Sequence, residues 1–217
     1  INLLPVGATF TAERDSYLKL IERLDMAYQF GGKRNFDLNE INDGEYNDWI
    51  GAQIRIDMYG WVLPGKPKLA AELARRDAIL SHRGCAVEAS AYIAGLCALI
   101  PDSNSREEAV NGALGLIDKD SEAYEAVLLG INNAGKPASN LHEHYGDMSP
   151  VHSLNNLSVV VWAFLSFQDS FDEAIGETIC CGWDTDCTGA TVGGLIGLDK
   201  GSIPELWTEP WQGRVLT

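Results

Sequence analysis

The sequence predicts an all-α protein, because apolar residues recur at helical spacing along most of its length, capping residues stand at the segment ends, and no stretch alternates convincingly as a strand. The apolar period places helices at about 11–30, 45–60, 66–81, 84–100, 105–117, 121–132, 153–167, 170–180 and 186–198. Ser105 stands ahead of Glu107 and Glu108, and Ser121 ahead of Glu122 and Glu125. Each is a side-chain acceptor followed by first-turn acids. Gly31-Gly32 closes the first segment and Pro64 follows the second. Lys66-Pro67 before Leu69, Ala70, Leu73 and Ala74 reads as a helix with proline in its first turn and a narrow apolar stripe. Segment 131–150, with Gly135, Pro137, Gly146 and Pro150, reads as a loop-rich connection. His142-Glu-His144 is expected at the surface of that loop.

The chain has 217 residues, 46% of them hydrophobic, enough to bury one substantial core, so residues 1–217 are expected to form one domain. The longest unbroken apolar run, 159–165, is far short of the roughly 20 residues of a membrane span, and no charged-then-apolar leader opens the chain. No membrane partner is expected. A net charge of -15, with 16 Lys and Arg spread along the chain, argues against nucleic-acid backbone binding. The five cysteines, Cys85, Cys97, Cys180, Cys181 and Cys187, show no paired C-x-x-C spacing, so reduced cytoplasmic thiols are expected. Cys85 and Cys97 lie about 18 Å apart along one helix at 1.5 Å per residue, too far to bridge, and read as core residues.

Most of the chemistry sits in Cys181-Gly-Trp-Asp-Thr-Asp-Cys-Thr-Gly-Ala-Thr-Val-Gly-Gly-Leu-Ile-Gly197. Gly189, Gly193 and Gly197 fall four apart on one helix face, which suggests close approach by another helix; Ala190, Val192, Leu195 and Ile196 suggest burial on the other faces. Asp184 and Asp186 then stand at the helix N-terminus, where free N–H groups and the helix dipole favour negative charge. Two carboxylates with hydroxyls beside them form a hard oxygen cluster suited to Mg²⁺, Mn²⁺ or Ca²⁺. The plain alternative is that Asp184 caps the helix and Asp186 answers its dipole. An EF-hand loop is rejected, because Leu195 stands where a bidentate Glu is needed.

Gly182-Trp-Asp-Thr-Asp-Cys-Thr-Gly-Ala-Thr-Val-Gly-Gly194 resembles the C-terminal signature of the ADP-ribosylglycohydrolase family, which includes the dinitrogenase reductase-activating glycohydrolases and the ADP-ribosyl-acceptor hydrolases. Upstream, Gly51-Ala-Gln-Ile-Arg-Ile-Asp-Met-Tyr-Gly60, Pro64-Gly-Lys-Pro67, Ala70-Ala-Glu-Leu-Ala74, Arg76-Asp-Ala78 and Ser81-His82 resemble the family's G-A-x-x-R segment, its P-G-x-P turn and its helix ending in Ser/Thr-His. The resemblance runs from Trp49 onwards, and its wording is similar to a bacterial branch. It implies a compact orthogonal multi-helix domain lacking its N-terminal helices, with a two-metal Mg²⁺ or Mn²⁺ centre. The implied activity is hydrolysis of the glycosidic bond between ADP-ribose and an acceptor, so an ADP-ribosylated substrate or an ADP-ribose-like small molecule is the implied partner. Asp184 and Asp186 fall on the family's metal-ligating aspartates. Cys187 stands where a ligating Thr is expected, with Thr188 the neighbouring hydroxyl. The resemblance also implies substrate contacts at Gly51 and His82; the plain alternative for His82, at a helix end, is a hydrogen bond to terminal carbonyls, and Trp183, beside the aspartates, is expected either in the core or stacked on a substrate ring.

Two features depart from the family pattern. The first fifty residues contain no adjacent acidic pair, so the other half of the metal site is expected on a segment or chain outside this sequence, which opens at Ile1. Trp49-Ile-Gly51 replaces a Gly-Asn-Gly phosphate loop, which leaves a different glycoside or nucleotide open as substrate and a degenerate binding module as the alternative. From the residues themselves, Arg55 and Asp57 lie two apart and cannot share a helix face, so one is expected to be buried and paired. Asn155 and Asn156 are expected to cap the helix that follows them.

Overall fold

A computed structural model describes residues 11–30 and 37–214. Twelve α-helices lie along these residues: α1 (Ala12–Phe30), α2 (Leu38–Ile41), α3 (Asp57–Trp61), α4 (Pro67–Ala78), α5 (Gly84–Leu99), α6 (Arg106–Leu114), α7 (Glu122–Asn133), α8 (Ser139–Tyr145), α9 (Ser153–Ser166), α10 (Phe171–Cys180), α11 (Thr185–Lys200) and α12 (Glu205–Thr208). Among the described residues there is no strand, only an isolated antiparallel bridge between Trp49 and His152, so the all-α expectation holds. The Gly31-Gly32 stop lies outside the described residues.

The ends obey the capping signals. Ser105 accepts from Glu108 N–H and Ser121 from Tyr124 N–H, while Pro67 opens α4. Helices α5 and α9 are the two axles of the fold. Each is apolar on nearly every face, as a helix surrounded by others must be. Helices α3, α4 and α6 pack on α5, and α7, α8, α10 and α11 pack on α9. One continuous hydrophobic cluster runs from Ile56 to Ile196 through both. The stretch Gly84–Asp102 is long and apolar enough to cross a membrane, but most of it is buried inside this core.

Small residues set the spacing around α5. Ala70, Ala71 and Ala74 of α4 lie against its Ala-rich face, and Gly60 lets α3 ride directly on the α5 backbone. A Cβ at Gly60 would stand 2.5 Å from the Ala94 carbonyl oxygen and collide with Cys97 Cβ.

Two expectations are corrected. The helix expected at 45–60 is broken into turns, a 3₁₀ turn at Gln53–Arg55 and the short α3. Its backbone groups are taken by the start of α9 instead: Ile50 N–H donates to Val151 C=O at 2.9 Å, and Ser153 N–H donates to Asp48 C=O at 3.0 Å. The loop expected over 131–150 contains α8, whose Leu141 and Tyr145, one turn apart, are buried.

The glycines separate two effects of a methyl group. Gly60→Ala is expected to destabilise by about 2 kcal/mol or more through overpacking against backbone. At exposed Gly176 in α10 an added Cβ would meet nothing within 4 Å, and Gly176→Ala is expected to stabilise by about 0.5–1 kcal/mol. Urea denaturation of the two variants checks both signs.

Candidate functional site

The aspartate segment leaves α10 through a turn in which two successive residues are left-handed, Gly182 at φ 84 and Trp183 at φ 59. Glycine takes this conformation freely. A tryptophan there costs about 1–2 kcal/mol, so something nearby must hold it. The His142 ring stacks on the Trp183 indole with centroids 4.0 Å apart and planes 24° apart, and His142 Nε2–H donates to Cys181 C=O at 2.7 Å. His142 is thus no bystander on a loop: it projects from α8 beneath the aspartate turn, whereas His144 stacks edge-on with Tyr145.

Asp184 occupies the N-cap position of α11, with its carboxylate close to the thiol and backbone N–H of Cys187. Its own backbone N–H donates to Asn156 Oδ1 at 3.2 Å. Asn156 is fully buried one turn into α9, and its amide donates to the carbonyls of Pro150 and His152, both at 2.8 Å. The cap of α9 is His152, not the asparagines: its Nδ1 accepts from Leu154 N–H at 3.2 Å, while Nε2 faces Asp48 Oδ2 at 3.2 Å. Sequence reasoning missed Asn156 because capping gave it an adequate local use; only the fold brings Asp184 to it.

Ligand atoms of Asp184, Asp186 and Cys187 all lie within 4.8 Å of one another. Burial, with the Asp186 carboxylate adding to it, holds the Asp184 carboxyl above the usual carboxylate range, while the Cys187 thiol and backbone N–H act the other way. Burial and the Asp184 carboxylate push the Cys187 thiol up to about 12, so the sulfur stands beside the pair as a neutral S–H. Two crowded carboxylates fit a hard divalent cation, which relieves their repulsion; the thiol adds little to such a donor set. Thr188 is fully buried and its hydroxyl donates to Asp184 C=O at 2.9 Å, turned into its own helix. The glycine face of α11 meets side chains rather than another backbone: Ile179 lies over Gly189, Ile175 over Gly193 and Ile203 over Gly197. Ala190 is exposed, so α11 is not buried all round.

A second polar cluster gathers Gly51, Arg55 and His82. Arg55 donates to Asp77 Oδ1 at 2.7 Å, Glu13 Oε1 at 2.5 Å, Gly51 C=O at 3.0 Å and Ser81 Oγ at 3.1 Å. The Glu13 carboxylate rests against Gly51, where a Cβ would come within 2.7 Å of Oε1. His82 is fully buried, with Nδ1 2.7 Å from Ser81 Oγ and Nε2 3.7 Å from Glu13 Oε1. Its side chain therefore serves neither the terminal helix carbonyls nor an open surface. Sequence reasoning missed Glu13, which in a lone helix is only a favourable first-turn acid. Asp57, the other member of the split pair, turns to its own helix start, accepting from Met58 N–H at 2.8 Å. Segments 47–51 and 184–186 are both fastened to the N-terminal turn of α9, through Ser153 and Asn156.

Burial lowers the His82 pKa from 6.5 to about 4, with the Glu13 carboxylate opposing the shift. Between those values the unfolded chain binds a proton that the folded protein refuses, so stability falls as pH drops through this window, by at most about 1.4 kcal/mol per pH unit for one proton. Urea denaturation at pH 7, 5.5 and 4.5 should show a shallower loss in His82→Gln than in the parent. Parallel losses would contradict this assignment.

The ADP-ribosylglycohydrolase family model matches residues 7–216, so the match extends upstream of the quoted motifs, which begin at Gly51. No curated protein and no solved structure matches the chain. A chain whose described residues are all-α, that carries the paired aspartates at the N-terminus of α11 and that the family model matches over nearly its whole length belongs to the ADP-ribosylglycohydrolase family.

Proposed function

We propose that Asp184 and Asp186 bind a divalent cation, Mg²⁺ or Mn²⁺, and that the chain hydrolyses the glycosidic bond between ADP-ribose, or an ADP-ribose-like group, and its acceptor. The observation that carries this reading is the convergence of two carboxylates at the mouth of α11, one of them part-buried with its carboxyl held above the usual range. When bound, such a cation would supply charge for orienting ribose hydroxyls and activating water. The chain's own contribution is positional. Asn156 fixes the backbone of Asp184, and Thr188 closes the first turn of α11 beneath it. Cys187 lines the same rim. Trp183, stacked on His142 through one face, keeps a partly exposed indole beside the carboxylates for contact with a substrate ring. In this reading Gly51 belongs to the substrate side of the site, with the buried His82 behind it.

A second reading, a binding module on the same scaffold, is favoured by one observation. The Glu13 carboxylate pairs with Arg55, rests on Gly51 and faces His82, and the last two are positions the resemblance assigns to substrate.

Calorimetric titration with Mn²⁺ separates these readings when paired with an assay for ADP-ribose release. The parent chain should bind Mn²⁺, and Asp184→Asn should lose at least tenfold in affinity while its Tm stays within a few degrees. Metal binding unchanged in Asp184→Asn would sink the metal assignment. Metal binding without release of ADP-ribose from ADP-ribosylated protein would favour the module.

A further inference from the structure

We propose that His142 is a positioning residue for the aspartate pair: its ring and its Nε2–H hold the left-handed Gly182-Trp183 turn from which Asp184 and Asp186 project. This rests on the metal reading above for its functional meaning, and on geometry for the contact itself. The turn is gripped from two sides. From the core, Asn156 Oδ1 takes the N–H of Asp184 at 3.2 Å. From the surface, His142 covers the Trp183 indole at 4.0 Å and ties Cys181 C=O at 2.7 Å. Cys181 and Trp183 flank Gly182, so one imidazole restrains both neighbours of the residue at φ 84.

The two grips differ in kind. Asn156 is fully buried and ties three places together, accepting from Asp184 N–H and donating to the carbonyls of Pro150 and His152, so its loss would disturb more than the aspartate turn. His142 is exposed, and α8 is anchored without it through buried Leu141 and Tyr145. Removing the imidazole therefore excavates no cavity. What it releases is the aromatic contact that opposes the unfavourable backbone of Trp183, and with it the direction in which the two carboxylates leave the turn. A residue of α8, far from Asp184 in sequence, thereby sets the convergence of the ligands.

The test uses His142→Ala, His142→Phe, which keeps a ring to stack, and His142→Gln, which keeps a donor. Mn²⁺ affinity of His142→Ala should fall about fivefold or more with Tm changed by only a few degrees, and the Phe and Gln variants should each lose less. A metal-independent signal accompanies it: the Trp183 indole N–H resonance, assigned with Trp183→Phe among the six tryptophans, should shift or broaden in His142→Ala while the others stay in place. Unchanged affinity in His142→Ala, in a parent chain that binds Mn²⁺ and loses it in Asp184→Asn, would overturn the inference. If the parent chain binds no Mn²⁺ the metal reading fails instead, and the indole resonance decides whether His142 holds the turn. An unmoved resonance then overturns it.

Discussion

Everything else in the structure hangs on the hydrogen-bond accounting of one buried polar turn, the start of α9. Ser153, Asn155, Asn156 and Ser158 are fully buried on a helix that is otherwise apolar, and each would cost about 1–3 kcal/mol if left without partners. Their partners come from separate parts of the chain. Asp48 and Trp49 offer carbonyls to Ser153, the 149–152 turn receives the amides of Asn155 and Asn156, and the aspartate turn supplies the N–H of Asp184. Segment 47–51 gives up helical bonding for this purpose, so a core requirement draws the two motif-bearing segments to one end of one helix.

The site and the core are therefore one construction. Helix α9 must be central to bury its apolar faces, and its N-terminus must be polar because backbone donors emerge there. His152 satisfies one of them and braces itself on Asp48. Around α5 the same economy takes another form, with alanines and Gly60 letting helices approach until backbone touches side chain. That close packing positions α4, and His82 in the turn that follows it, against the Arg55 cluster. There a single guanidinium serves two carboxylates, a hydroxyl and a carbonyl, and the buried imidazole beside them remains neutral.

Local conflict is concentrated at the aspartate pair. Like charges are crowded at a helix start, one carboxyl is held above its usual range, and a tryptophan adopts a backbone conformation that suits glycine. Contacts from α8 and α9 maintain all three. A stability-only sequence would place a glycine at 183 and a single capping acid at 184.

The helical class, most helix ends and the aspartate signature are legible in the chain alone, because apolar period, capping side chains and a short contiguous motif are local properties. The break in residues 45–60 is not, since the competing hydrogen bonds come from a helix distant in sequence. Nor is α8 legible among its glycines and prolines, where two buried residues one turn apart outweigh the turn formers. His142, Asn156 and Glu13 carry only generic local readings as a surface histidine, a cap and a first-turn acid. Tertiary packing assigns their roles, because each acts on a partner far along the chain: Trp183 and Cys181 for His142, the backbone of Asp184 for Asn156, and Arg55 with Gly51 for Glu13.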